Sequence, residues 1–120
     1  VYAAAQNGCT AALEVLLDAK ANANTATYGG YTPMFIAARN CHSEALELLI
    51  GAKANVNTAD DKGRTPMHIA AQYGYTPPIE LLLGAYAKID ARQRDGSTPA
   101  YIAAAQGHVA ALKLLLNAKA

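Results

Sequence analysis

The chain is 120 residues long with a formal net charge of +1; 52% of its residues are hydrophobic, only 16% are charged, and none is Trp. That balance provides no basic field for nucleic acid, no apolar run reaches the ~18 residues of a membrane span, and two cysteines are too few for a disulfide scaffold. Alanine supplies 28 residues, which favours short helices in close contact over one core built on bulky anchors.

A 33-residue period runs through the chain. Thr32-Pro33, Thr65-Pro66 and Thr98-Pro99 mark it, as do Gly30, Gly63 and Gly96. The pairs Ala4-Ala5, Ala37-Ala38, Ala70-Ala71 and Ala103-Ala104 keep the same step. The first unit, residues 1–26, opens inside a helix that a glycine, Gly8, should end. Thr10 then reads as the cap of a second helix carrying Leu13-Glu14-Val15-Leu16-Leu17, followed by Ala19-Lys20-Ala21.

The second unit, 27–59, begins with a Gly29-Gly30 loop. Thr32 is the expected N-cap and Pro33 the first helical residue of a helix over Met34 to Asn40. Cys41 stands where Gly8, Gly74 and Gly107 stand elsewhere, and Ser43 reads as the next cap. The third unit, 60–92, repeats the plan with Thr76 as cap and Pro77 and Pro78 in the first turn, where proline is tolerated. The fourth, 93–120, stops after Leu112-Lys113-Leu114-Leu115-Leu116 and Ala118-Lys119-Ala120. Between units, a polar stretch such as residues 55–64 is too short for a helix and fits a projecting hairpin-like loop. Helices of this length, ~12–15 Å, are marginal alone, so stacking of successive units must provide the core.

These motifs resemble the ankyrin repeat. Thr65-Pro66-Met67-His68-Ile69-Ala70-Ala71 with Gly74 nearly reproduces that family's TPLHxAA…G signature, and residues 32–38 and 98–104 are close variants. Asn22-Ala23-Asn24, Asn55-Val56-Asn57 and Lys88-Ile89-Asp90 resemble the family's segment before the hairpin. The resemblance spans the whole chain. It implies an all-α repeat solenoid: a single domain of stacked helix–turn–helix units with projecting β-hairpin-like loops. Two positions depart from the pattern. The signature histidine, which by the resemblance fixes the loop, survives only as His68 and is replaced by Tyr2, Phe35 and Tyr101. The glycine after the second helix is replaced by Lys20, Lys53, Tyr86 and Lys119, so that these residues either bear left-handed strain or the helix ends differently.

No site chemistry converges. Cys9, His42, Tyr75 and His108 share one phase, but stacked helices lie about 8–10 Å apart and residues at equal phase form a ladder, whereas metal ligands must meet within ~2.0–2.3 Å of one ion. Cys9 and Cys41 are likewise too far apart on that spacing for a disulfide. His42 and His108 are expected to pack or cap at the helix–helix turn. No phosphate-binding loop and no nucleophile–base set can be assembled, so neither catalysis nor a cofactor or metal is expected.

The variable, solvent-facing positions of a phased array are those left free to recognise something. On the loops these are Tyr28, Tyr31, Asp61, Lys62, Arg64, Arg94, Asp95 and Ser97; on the inner helices Arg39, Asn40 and Tyr73 join them. Tyr and Arg are the side chains most enriched in binding hot spots, which makes Tyr28, Tyr31, Arg39, Arg64 and Tyr73 the preferred patch. The expected function is a non-catalytic, monomeric, intracellular module binding a protein or peptide through its hairpin tips and concave face. The alternative is a regulatory or targeting segment of a larger enzyme, channel or effector. Lys62, Arg64, Arg92 and Arg94 interleave with Asp60, Asp61, Asp90 and Asp95, which argues against a phosphate-tracking groove. With Leu112, Leu114, Leu115 and Leu116 expected to be partly uncovered and no polar capping unit at either end, the four units are expected to belong to a longer array.

Overall fold

The computed structural model describes residues 1–119. It holds eight helices in four antiparallel pairs: α1 (Tyr2–Asn7) with α2 (Thr10–Asp18), α3 (Pro33–Arg39) with α4 (Ser43–Gly51), α5 (Pro66–Tyr73) with α6 (Thr76–Gly84), and α7 (Pro99–Ala105) with α8 (Val109–Lys119). The first helix of each pair stacks on the first helix of the next to form an inner layer, and α2, α4, α6 and α8 stack likewise as an outer layer.

Local chemistry explains the start of each inner helix. Thr32, Thr65 and Thr98 are extended N-caps whose hydroxyls accept from the backbone N–H of Phe35, His68 and Tyr101, and each is followed by proline at N1. The outer helices start differently from expectation. Cys9, His42 and Tyr75 occupy their N-cap positions without a side-chain bond, and Thr10, Ser43 and Thr76 are already helical. The turn is too tight for a capping hydroxyl because its residues are already used to close the previous helix. Cys41 N donates to Ala38 O at 3.3 Å and His42 N to Ala37 O at 2.9 Å, a Schellman closure with Cys41 left-handed at φ 57°.

The outer helices close in the same way. Lys20, Lys53 and Tyr86 take φ of 65°, 66° and 62°, so these non-glycine residues bear the strain, of order 1 kcal/mol each. The residue after each donates back into the helix, as Ala54 N does to Leu49 O and Ala87 N to Leu82 O. Ala54 and Ala87 are buried by this closure, which is the reason for the recurring Ala-x-Ala. The fourth unit differs, because α8 continues through Lys119.

The core is a ladder of small and medium side chains. Ala37, Ala38, Ala70, Ala71 and Ala103 are fully buried between inner helices, and Leu13, Leu46, Leu49, Ile79, Leu82 and Leu115 fill the space towards the outer layer. Of the four leucines of α8, Leu115 is buried, Leu112 and Leu114 are half-buried, and only Leu116 is exposed. Stacking within the chain therefore covers more of this block than its sequence suggests.

No strand forms among the described residues, yet the loops are hairpin-like. Asp60 N donates to Arg64 O and Gly63 N to Asp60 O, both at 2.9 Å, and the same pair of bonds recurs at Thr27–Tyr31 and at Gln93–Ser97. Successive loops are stitched together by Asp61 N to Gly29 O at 3.0 Å and Arg94 N to Lys62 O at 3.1 Å. A Cβ on Gly63 would lie 3.0 Å from Arg94 N, so glycine there permits the loops to touch. At the loop bases an asparagine chain crosses from unit to unit: Asn55 N donates to Asn24 Oδ1 and Lys88 N to Asn57 Oδ1, each at 2.8 Å.

Candidate partner-binding surface

Which exposed side chains are available to a partner depends on which are occupied in holding units together. His68 is fully buried. Its Nδ1 accepts from Thr65 N at 3.1 Å, so the hydrogen sits on Nε2, which donates to Ser97 O of the next loop at 3.0 Å. Burial lowers the pKa of this imidazole below its ordinary value, outweighing the carbonyl that favours the charged form. The loop-fixing role expected of His68 thus extends across a unit boundary.

Unit two has Phe35 at that phase, and Arg64 takes over the link. Its guanidinium lies 5.5 Å from the centroid of the Phe35 ring, and its Nη2 pairs with Asp60 Oδ2 at 2.8 Å. Asp60 also accepts from the backbone N–H groups of Lys62 and Arg64. Tyr31 stacks on the same Phe35 ring with centroids 5.2 Å apart. Tyr31, Phe35 and Arg64 therefore form one inter-unit cluster.

His42 and His108 join units at the opposite end of the inner helices. Each donates from Nε2 to a carbonyl of the preceding unit, His42 to Gln6 O at 3.1 Å and His108 to Gln72 O at 2.9 Å. Their rings lie over Gly8 and Gly74, where an added Cβ would meet the imidazole at 2.8 and 2.6 Å. Cys41 carries a Cβ, and the unit above it has Tyr75 instead of histidine, its ring stacked on Tyr73 at 5.5 Å. The pairing of Gly with a following His, and of Cys with a following Tyr, is visible in the sequence but gains meaning only once the units are stacked.

The remaining predicted residues divide by location. Tyr28 stands fully exposed at the tip of the loop of unit two; Asp61, Lys62, Arg94 and Asp95 are exposed on the loops of units three and four. Ser97 is half-buried, and its backbone N–H donates to Asp95 Oδ1 at 2.9 Å. Hydrogen bonds from Ser97 and Gln93 hold the Asp95 carboxyl below its ordinary pKa. Arg39, Asn40 and Tyr73 lie at the far ends of α3 and α5. Arg39 is exposed and Tyr73 partly so, while the Asn40 amide donates to Gln6 O at 3.0 Å. The loop residues and the Arg39–Asn40–Tyr73 group thus flank opposite ends of inner helices about 10 Å long. Tyr31, Asn40, Arg64 and Ser97 are engaged within the fold; Tyr28, Arg39, Lys62, Tyr73 and Arg94 present free area on it.

A family model described as "Ankyrin repeats (3 copies)" matches residues 1–95 and 45–120, which together span the chain. The chain belongs to the ankyrin-repeat family. Comparison with curated proteins returns no match. Ankyrin repeats are in general protein–protein interaction modules and typically non-catalytic. Among the described residues no helix is long and apolar enough to cross a membrane, and no three His, Cys, Asp or Glu side chains converge as a metal site.

Proposed function

We propose that this ankyrin domain is a monomeric, non-catalytic module that binds a protein or peptide through its hairpin tips and the concave face of its inner helices. The observation carrying this reading is the division of labour among its aromatic and cationic side chains. Tyr31 and Arg64 are spent on joining units, yet Tyr28 projects wholly into solvent and Arg39, Lys62, Tyr73 and Arg94 remain accessible on the same rigid frame. An exposed tyrosine held by a stiff scaffold offers large contact area at low entropic cost. Asp61, Asp95 and Ser97 supply the polar rim, and Asn40 shapes the surface beside Tyr73. The free thiols of Cys9 and Cys41 fit an intracellular setting.

Site-specific photocrosslinking tests the proposal. A photoreactive residue at position 28, 73 or 94 should capture one common partner from source-cell extract, and one at Val15 of the outer layer should not. Equal capture from Val15, or capture from position 94 unaffected by a Tyr28→Ala/Arg39→Ala/Tyr73→Ala variant, would refute this assignment of the binding face.

A further inference from the structure

Charge is segregated between the two layers. All four glutamates, Glu14, Glu44, Glu47 and Glu80, lie on outer helices, whereas all four arginines lie on loops or at the end of α3. The helices α2 and α4 together carry Glu14, Asp18, Glu44 and Glu47 and no basic residue. These four side chains are exposed, and among the described residues none of them is ion-paired. Between the two helices runs a groove. Its larger part, about 670 Å³, is bounded by Glu14, Leu17, Asp18, Leu48 and Gly51, with Lys20 also on its rim. A smaller part of about 310 Å³ shares Glu14 and Leu48 and adds Glu44 and Glu47. Leu17 and Leu48 are half-buried, so the groove has an apolar floor under an anionic rim. Gly51 helps to open it. This residue is helical, and among the described residues nothing lies within 4 Å of where its Cβ would sit. Glycine in a helix is less favourable than alanine, and here neither a left-handed backbone nor a close neighbour requires one. The bare backbone leaves room for a visiting side chain. Both helices also end at this groove, and their C-termini add negative partial charge.

We propose that this groove is a second docking site, for an arginine-rich segment of a protein partner. Aliphatic side chains of that segment lie on Leu17, Leu48 and the Gly51 backbone, and its guanidinium groups pair with Glu14, Asp18, Glu44 and Glu47. Charge complementarity selects a cationic occupant, and the apolar floor selects a peptide over a fully solvated polyamine. Arginine is favoured over lysine because its planar fork binds a carboxylate through two hydrogen bonds and is more weakly hydrated. The groove lies on the layer opposite the inner helices, and the inference is independent of what the inner face binds.

Fluorescence anisotropy of a labelled Arg-Arg-Leu-Leu-Arg-Arg peptide, titrated with the whole chain, tests this. Saturable micromolar binding is expected. Glu14→Gln/Glu47→Gln should weaken it roughly tenfold, the scale of two exposed charge pairs, and Glu80→Gln should leave it unchanged. Gly51→Leu should fill the groove and weaken binding at least as much. Its Tm should equal or exceed that of the parent, because the helix gains propensity and the new side chain meets no neighbour. Peptides with lysine in place of arginine, or serine in place of leucine, should both bind more weakly. Absence of saturable binding, equal affinity for the serine peptide, or a Gly51→Leu affinity equal to the parent's would overturn the proposal. So would binding that survives Glu14→Gln/Glu47→Gln but is lost in Tyr28→Ala/Tyr73→Ala, since the peptide would then sit on the inner face.

Discussion

Gly74→Ala isolates how one unit is locked to the next. Gly74 has φ of 69°, and its missing Cβ would lie 2.6 Å from both Cγ and Nδ1 of His108. Three costs add. The left-handed backbone costs an L-residue about 1–2 kcal/mol. Displacing the ring breaks the 2.9 Å bond from His108 Nε2 to Gln72 O, worth about 0.5–1.5 kcal/mol. Repacking at a forced contact adds about 1 kcal/mol or more. The expected loss is about 3–4 kcal/mol, or a drop of roughly 12–16 °C in Tm at ~4 °C per kcal/mol for a chain of this size. Gly107→Ala is the matched control, because it has φ of 74° with none of the described residues within 4 Å of the added Cβ and should lose only the backbone part, about 1–2 kcal/mol. Urea unfolding followed by far-UV circular dichroism gives both values, and Gly74→Ala/His108→Ala closes the cycle by removing the clash. Equal destabilisation by Gly74→Ala and Gly107→Ala would refute the reasoning, since the imidazole contact would then carry no energy.

Three further outcomes are expected. Arg64→Ala should destabilise by about 1–3 kcal/mol, since it removes a half-buried charge pair and a cation–π contact together; Arg64→Lys should recover less than half, because lysine lacks the planar fork. An urea midpoint unmoved by Arg64→Ala would show that the Phe35 cluster does not join units. Acidification should destabilise through His68. Its folded pKa is lowered, so the unfolded chain binds the proton more readily, and stability is intact above about pH 6.5 and falls as pH drops through and below that value. His68→Phe, the residue unit two uses at this phase, should flatten that slope, and parallel pH–stability curves for the two proteins would contradict the assignment. Asn24→Ala should cost about 0.5–1.5 kcal/mol by removing the acceptor of the Asn55 amide and should speed exchange at Asn55 selectively; uniform exchange rates would argue against the asparagine crossing.

The repeat, the helix pairs and the burial of the Ala-Ala pairs of units two and three and of one or two leucines in most blocks were legible in the sequence because each is specified by residues within one unit. Thr-Pro caps, a glycine at a left-handed turn and an i, i+3, i+4 apolar block act over at most one turn of helix. The same locality explains the one misreading of helix starts. Thr10, Ser43 and Thr76 have capping side chains, but the Schellman closure of the preceding helix consumes the turn and moves the N-cap back to Cys9, His42 and Tyr75.

The candidate surface was legible only as a set of variable positions. Tyr28 and Arg64 look equivalent as variable loop residues, yet one is solvated and the other is clamped between Asp60 and Phe35. The difference arises 29 residues away, at Phe35, where the preceding unit lacks a histidine. Sequence by itself determined the unit and its period, since hydrogen bonds and propensities inside 33 residues suffice for that. Tertiary structure decided which side chains hold the stack and which remain for a partner, because that choice depends on the chemistry of a neighbour in the adjacent unit.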